Sequence, residues 1–570
     1  MKQVLLSGLV SAAVTAVSAL SLADACTESH VWNSLSPIDG IEYCSATASP
    51  VHGLSVDTNE NFPAASNRDV CNVTVTYTHT GKGDNITVWY YLPSPAQYKN
   101  RFLASGGGGF AINSGIWGLR AGLAYGAVSG CTDGGFGSFG GDLTDVILKG
   151  NGSVNYDALY SFGYLSIHEM TLIGQRLSKN FYKSPSKLYS YFQGCSEGGR
   201  EGWSQLQRYG DQFDGASLGA PAFRQAYQQP QHNWPQIFEV MNGYVPSVCE
   251  LLQISNDVID ACDVLDGKRD GVVSRSDLCR LQHNATSSIG NHFSCDAGWD
   301  GPAIHGNVSA EAVAVYQTMI DGPVDSKGRH LYVGYQPGSD LSWNGGGTYD
   351  AESDNYLPEP AGFGVQWVNL FLKEIESESL SLRGSTGDTL RTWILEGLQK
   401  YSGVLETTWT DLEDLRDAGG KVIHWHGEAD NSIPTDSSAL YFEQVRKTMY
   451  GDLPYIESLA KLNEFYRFYI IRGAQHCAPR DENAPFPNTV LGSVIDWVEH
   501  DIVPRRLNAT FLSGDRQGET EGLCSFPTRP MWSANSSTTA APQCIMPGQD
   551  AYDSWFPKLN SIPFNAYGDA

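Results

Sequence analysis

The chain has 570 residues, 41% hydrophobic and 18% charged, which is enough to bury a large core and too apolar for a disordered polymer. A formal net charge of −26 repels a phosphate backbone and no basic stripe offsets it, so nucleic acid is excluded as a partner. Twelve cysteines without a single Cys-x-x-Cys pair argue for disulfides in an oxidising compartment and against zinc.

The chain opens with MKQVLLSGLVSAAVTAVSALSLADA, in which one lysine precedes an apolar run to Leu22 and then small residues suited to cleavage. Residues 1–23 read as a signal peptide. No later stretch approaches the roughly 20 apolar residues of a membrane span, so no membrane association is expected. Seven Asn-x-Ser/Thr sequons, at Asn72, Asn85, Asn151, Asn284, Asn307, Asn508 and Asn535, are candidate glycan sites of a secreted, extracellular glycoprotein.

VCNVTVTYTH (Val70–His79) and ITVWYYLP (Ile86–Pro93), separated by Gly81-Lys82-Gly83-Asp84, predict a β-hairpin. RFLASGGGGF (Arg101–Phe110) predicts a buried strand entering a glycine-rich loop. Apolar residues recur with a helical period from Asp157 to Leu177, KLYSYFQ (Lys187–Gln193) predicts a strand, and Gly198–Tyr209 predicts a helix. Strand, glycine loop, helix, strand, tight turn and helix, in that order, mark an open α/β sheet. Residues 223–410 break this rhythm, being rich in Cys, Asn, Asp and Gly, and are expected to form an inserted lid. The α/β pattern resumes in KVIHWHGEAD (Lys421–Asp430) and FYRFYIIRGAQHC (Phe465–Cys477), so 24–222 and 411–570 are expected to be the two parts of one catalytic domain.

Gly-x-Ser-x-Gly occurs twice, around Ser196 and around Ser217, and in a chain with 61 glycines the bare motif carries little weight. Context separates the copies. Ser196 stands between a strand and a helix, with Gly194, Gly198 and Gly199 relieving the crowding of a nucleophile elbow. Ser217, in FDGASLGAPAF, reads as a strand residue inside the sheet. A serine nucleophile needs an imidazole to take its proton and a carboxylate to hold that imidazole, and strand ends later in the chain offer Asp430 and then His476. Glu428 is an alternative to Asp430. His424 and His426 alternate along a strand and fit packed, hydrogen-bonded core positions better than catalysis. Glu197 is a poor base, but its backbone N–H is a candidate oxyanion donor, with a second from the glycine loop, assigned to Gly107. Cys195 precedes the candidate nucleophile and Cys477 follows the candidate base, so a disulfide between them would tie the elbow to the histidine loop.

CDVLDGKRDGVVSRSDLC (Cys262–Cys279) holds Asp263, Asp266 and Asp270 on a tight glycine-containing loop with a cysteine at each end for a staple. Three carboxylates and backbone carbonyls suit Ca²⁺, in a structural role and without an EF-hand spacing.

GCSEGGREG, the HGEAD loop and AQHC together resemble the tannase and feruloyl esterase family of secreted fungal esterases over nearly the whole mature chain. CNVTVTYTHTGKGD, GGGGF, LAYGAVSG and LDGKRDGVVSRSDLC are most similar to the tannases within it. The resemblance implies an α/β-hydrolase fold with a large inserted lid domain, a Ser196, Asp430, His476 triad with the Cys195–Cys477 disulfide, and Ca²⁺ held by Asp263, Asp266 and Asp270 with the carbonyls of Lys268 and Val272. With the resemblance in view, the remaining cysteines are assigned as Cys26–Cys71, Cys249–Cys295 and Cys524–Cys544 beside the Cys262–Cys279 staple. Cys44 and Cys131, which stand outside the tannase pattern, are paired with each other.

The expected activity is hydrolysis of galloyl esters through an acyl-enzyme, without an organic cofactor. The alternative within the family is hydrolysis of feruloyl or chlorogenate esters, the choice being expected to rest on a pocket carried by the lid. The competing class is a glycan-binding protein with a dead hydrolase fold, which a complete set of triad candidates opposes. Monomer and homo-oligomer both remain open.

Overall fold

The computed structural model describes residues 21–137, 143–150, 152–298, 301–480, 483–533 and 541–556. Residues 1–20 of the expected signal peptide, and the sequons at Asn151 and Asn535, lie outside the described residues. Nine strands build one sheet: β1 (Ile41–Val56), β2 (Ala65–His79), β3 (Ile86–Pro93), β4 (Arg101–Ser105), β5 (Ala127–Thr132), β6 (Tyr189–Cys195), β7 (Gly215–Gly219), β8 (Lys421–Gly427) and β9 (Tyr466–Ile471). Their order across the sheet is β1-β2-β3-β5-β4-β6-β7-β8-β9. β1, β2, β3 and β5 pair antiparallel, and from β5 through β4 to β9 every pairing is parallel.

Strand composition follows position. In β2 the buried residues Val73, Val75 and Tyr77 alternate with half-buried ones, as a half-covered antiparallel strand requires. The central parallel strands are buried on both faces, so β7 is buried throughout and β8 in all but its first residue. Side chains on neighbouring positions enter opposite cores: Phe102, Phe192 and Val422 pack on one face, Leu103, Tyr191 and Ile423 on the other.

Helices cover both faces, which is the expected α/β-hydrolase arrangement. α1 (Ile116–Tyr125) and a helix near the end of the chain contribute Leu119, Leu123 and Val494 to one core. α2 (Ser166–Tyr182) and α3 (Glu197–Arg208) contribute Ile173, Leu177, Trp203 and Leu206 to the other. None of the nine sheet strands comes from 223–410. That segment holds helix α4 (Val248–Cys262) and two small hairpins, has a buried cluster of its own around Ile254, Val315 and Tyr316, and also sends Trp234, Trp367, Phe371 and Tyr401 into the core beside α2 and α3.

Five disulfides form: Cys26–Cys71, Cys195–Cys477, Cys249–Cys295, Cys262–Cys279 and Cys524–Cys544. The expected Cys44–Cys131 bond is corrected, since both are free thiols, Cys44 exposed and Cys131 buried. Strand order explains it. Cys44 lies on β1 and Cys131 on β5, with β2 and β3 between them. Three strand spacings amount to about 14 Å, and a disulfide needs Cα atoms within about 7 Å. Among the remaining sequons Asn85, Asn284, Asn307 and Asn508 are exposed, and Asn72 is half-buried. Among the described residues no helix is long and apolar enough to cross a membrane.

Candidate active site

β6 ends at Cys195 and α3 begins at Glu197, so Ser196 carries the whole strand-to-helix turn. Its backbone sits at φ 63°, ψ −124°, a strained conformation for a non-glycine residue, and its N–H donates to the Gly219 carbonyl at 3.1 Å. The turn is packed so tightly that a Cβ on Gly194 would lie 2.4 Å from the Gly198 carbonyl oxygen, and one on Gly198 would lie 2.7 Å from that of Gly107. Ser217 is a buried β7 residue whose hydroxyl accepts the Trp425 indole N–H at 3.3 Å.

β8 and β9 end beside this turn and bring in the other two groups. His476 Nε2 lies 2.8 Å from Ser196 Oγ, and its Nδ1 lies 2.8 Å from Asp430 Oδ2. A carboxylate can only accept, so Nδ1 carries the imidazole proton and Nε2 is left to accept the serine hydroxyl. Asp430 Oδ1 accepts the amides of Ser432 and Ile433 at 2.8 and 2.9 Å. Burial alone would raise the Asp430 carboxyl, but the His476 imidazole and the hydrogen bonds from His426 and His476 outweigh it and hold it below the usual carboxylate range. Glu428, the alternative acid, points elsewhere: its Oε1 accepts the Ser276 hydroxyl at 2.6 Å and pairs with Arg529.

His424 and His426 are buried as expected, yet His426 also touches the site, its Nε2 lying 3.0 Å from Asp430 Oδ2. Its Nδ1 accepts the Ser438 hydroxyl at 2.7 Å, and His424 Nε2 lies 2.9 Å from the same Ser438 oxygen. Burial and the neighbouring His426 keep His424 neutral, well below the usual histidine range. Alternation along a strand is a signal for burial, and it does not reveal that the loop after β8 folds Asp430 back onto its own strand four residues upstream.

The Cys195–Cys477 bond, with Cα atoms 6.0 Å apart, joins the residue before Ser196 to the residue after His476. Cys477 is held at φ 59°, so a strained residue stands on each side of the cross-link. As the first residue of α3, Glu197 has an amide without an intrahelical acceptor, and its carboxylate is buried against Arg200 and Gln225. The assignment of Gly107 as oxyanion donor is corrected. Its N–H is taken by Glu201 Oε2 at 2.8 Å, and the Gly108 N–H by the Ala111 carbonyl at 3.2 Å. Glu201, which the sequence does not single out, is fully buried, and burial together with the Glu197 charge lifts its carboxyl well above the usual range. Among the described residues the Gly109 N–H has no acceptor, and Gly109 faces the cavity at Ser196.

That cavity has a volume of about 360 Å³, near the lower end of the roughly 300–1,000 Å³ of small-ligand sites. Its walls are the glycine loop, the elbow with the disulfide, His476, Trp117 at the start of α1, and Glu60, Asn61 and Phe62 from the β1–β2 connection. The inserted segment stands beside this opening: a Cβ on Gly109 would lie 3.3 Å from the Phe363 ring, and His232 Nε2 donates to the carbonyl of Ser432, two residues after Asp430, at 2.9 Å. The long β1–β2 hairpin brings its connection over the carboxyl ends of the strands and adds the wall at Glu60–Phe62.

In the acidic loop, Asp263 accepts the amides of Asp270 and Gly271, each at 3.1 Å, and Asp266 Oδ1 accepts that of Lys268 at 2.8 Å. Asp270 Oδ2 pairs with Lys268 at 2.7 Å and Arg472 at 3.0 Å. Asp266 Oδ2 and Asp270 Oδ1 are buried without a hydrogen-bond partner, which fits a hard cation. Among the described residues no three His, Cys, Asp or Glu side chains converge as metal ligands, so a cation here would need backbone carbonyls to complete its shell.

Residues 71–546 match the family model described as tannase and feruloyl esterase. The chain is 41% identical to a tannase of Aspergillus oryzae over 96% of this chain and 97% of that protein. It is 31% identical to a probable feruloyl esterase of Arthroderma benhamiae, over 83% and 84% respectively. Among solved structures it is similar to a tannin acyl hydrolase from Aspergillus niger, with TM-score 0.92 and 43% identity over 96% of this chain and 100% of that one. Feruloyl esterase B from Aspergillus oryzae is similar at TM-score 0.70 and 25% identity, over 90% and 98%.

Proposed function

The chain belongs to the tannase and feruloyl esterase family and is a carboxylic ester hydrolase, and on that premise we propose that it hydrolyses galloyl esters through Ser196, His476 and Asp430. The observation that carries the reading is the hydrogen-bonded line from Asp430 through His476 to Ser196, opening on a cavity sized for one aromatic acid. His476 Nε2 takes the Ser196 proton as Oγ attacks the ester carbonyl, and the ionised Asp430 stabilises the imidazolium that forms. The oxyanion is met by the Glu197 N–H and, from the glycine loop, the Gly109 N–H. Collapse expels the alcohol with a proton from His476, leaving a galloyl ester on Ser196, and water reverses the steps to release the acid.

Residues 223–410 are proposed as the lid over this site. Ca²⁺ is proposed as a structural ion at Asp263, Asp266 and Asp270 with the carbonyls of Lys268 and Val272, where it would supply positive charge to the two open carboxylate oxygens and take no part in the chemistry. Secretion is supported by five disulfides, which persist in oxidising compartments.

The test is hydrolysis of methyl gallate, methyl ferulate and chlorogenate side by side, with fluorophosphonate labelling of Ser196. The expected result is a labelled serine and the highest kcat/KM on methyl gallate. A higher value on methyl ferulate or chlorogenate makes the protein a hydroxycinnamoyl esterase, and an unlabelled, inactive protein removes the esterase mechanism.

A further inference from the structure

The amides of the glycine loop after β4 are taken one at a time. The Gly106 N–H donates to the Gln193 carbonyl on β6 at 3.2 Å, and that of Gly108 to the Ala111 carbonyl at 3.2 Å. Between them, the Gly107 N–H reaches a side chain, donating to Glu201 Oε2 on α3 at 2.8 Å. The Gly107 carbonyl accepts the Gly198 N–H, also on α3, at 3.1 Å. Both polar backbone groups of Gly107 are therefore fastened to the opening turns of the helix that begins beside Ser196. The fit is close, since a Cβ on Gly106 would lie 2.5 Å from Glu201 Oε2 and 2.5 Å from Gly198 Cα.

Glu201 is 1% exposed, and its Oε1 has no hydrogen-bond partner among the described residues. The charged groups facing it, Arg200 and Glu197, stand on its own helix. Arg200 donates to Glu197 Oε1 at 2.6 Å and to the carbonyls of Gly163 and Phe162, and Gln225 donates to Glu197 Oε2 at 2.7 Å. Glu197 is thus the ionised member of the pair. Burial, and then the Glu197 charge, lift the Glu201 carboxyl well above the usual range, so Glu201 carries a proton. A neutral acceptor suits this place. An anion beneath the loop would oppose the negative charge that develops on the substrate carbonyl oxygen, and an apolar side chain would leave the Gly107 amide unpaired.

Resting on the ester-hydrolase reading, we propose that Glu201 is a positioning residue for the oxyanion site: by clamping Gly107 onto α3 it fixes the glycine loop relative to Ser196, so that the N–H groups of Gly109 and Glu197 converge on one oxygen. It touches neither the substrate nor the reacting atoms. Its effect falls on turnover rather than on substrate affinity, because the oxyanion forms only on the way through the transition state.

The experiment measures kcat and KM in Glu201→Gln, Glu201→Asp and Glu201→Leu on whichever of methyl gallate, methyl ferulate and chlorogenate the wild type cleaves best, with the folded fraction read by circular dichroism. Glutamine keeps a neutral acceptor at the same reach and should hold kcat within a few-fold. Aspartate withdraws the acceptor by one methylene and leucine removes it, so each should lower kcat by about 10² while KM stays within a few-fold. A merely structural role would lower Tm and leave kcat per folded molecule unchanged. Phenylboronic acid reads the site without turnover: Ser196 Oγ adds to boron, its proton passes to His476, and a hydroxyl of the resulting boronate occupies the oxyanion site. Its affinity should fall about tenfold or more in the aspartate and leucine variants and hold in the glutamine variant. Wild-type kcat and boronate affinity in folded Glu201→Asp or Glu201→Leu, or a loss in folded Glu201→Gln as large as theirs, would overturn the proposal; an active wild type beside an inactive Ser196→Ala would then leave the ester-hydrolase reading standing. A wild type that cleaves none of the three esters and binds no boronate overturns both.

Discussion

Removing the Cys195–Cys477 bond by Cys195→Ala/Cys477→Ala separates a positioning role from a stabilising one. The two cysteines are 282 residues apart in sequence. In the chain-entropy description, closing a loop of that length removes about 5–6 kcal/mol from the unfolded ensemble, while native disulfides cost about 2–5 kcal/mol when removed. The Cys249–Cys295 and Cys262–Cys279 bonds shorten the effective loop, which changes its logarithm little. A lower Tm is therefore expected whatever the role. The discriminating quantity is turnover. The bond joins the neighbours of Ser196 and His476 and is flanked by backbone strained at Ser196 (φ 63°) and Cys477 (φ 59°), so releasing it lets both residues relax away from the 2.8 Å contact. A displacement of about 1 Å costs on the order of 10² in rate. The assay is kcat for methyl gallate at low temperature, normalised to the folded fraction from circular dichroism, with KM expected to stay within a few-fold. Wild-type kcat per folded molecule would refute the positioning argument and leave a plain staple.

Ser196→Ala should lower kcat by about 10⁶, whereas Ser217→Ala loses one neutral hydrogen bond, about 1 kcal/mol of stability, and keeps its turnover; equal losses in two folded variants would reject the elbow assignment. Chelation should lower Tm while sparing turnover well below Tm, because an ion bound by the native loop stabilises only the folded state; an unchanged melting curve with no metal by elemental analysis rejects the calcium site. Glu239 is buried with neither carboxylate oxygen hydrogen-bonded, and burial pushes its carboxyl up to about 9. Since its folded pKa is raised, its contribution is complete below about pH 4.5 and is lost as pH rises toward 9, at a cost of about 3 kcal/mol by pH 7. Glu239→Gln should therefore raise Tm at pH 7 and leave it nearly unchanged at pH 4.5, and an equal shift at both would refute the titration.

Where neighbours in sequence are neighbours in space, the sequence by itself was enough. The elbow at Ser196 could be read because its strand, serine and crowding-relieving glycines lie within eleven residues, Tyr189 to Gly199, and the strand ends at Asp430 and His476 because each is a short apolar run stopping at a polar loop. The Cys195–Cys477 bond was legible because each cysteine adjoins a group whose place was already argued. Other features required strand order and side-chain partners. The Gly107 amide belongs to Glu201, 94 residues away, and no local pattern announces which acceptor a loop amide finds. His426 looks like any buried strand residue until the loop after β8 turns Asp430 back onto it. Cys44 and Cys131 are both free because β2 and β3 lie between their strands, a fact of sheet topology. The cavity wall at Glu60–Phe62 comes from a connection whose own sequence carries no site motif, and it reaches Ser196 because the long β1–β2 hairpin holds it there. Local backbone preference is written residue by residue, whereas which distant groups meet is set by the order in which strands pair, and for that the whole sheet has to form.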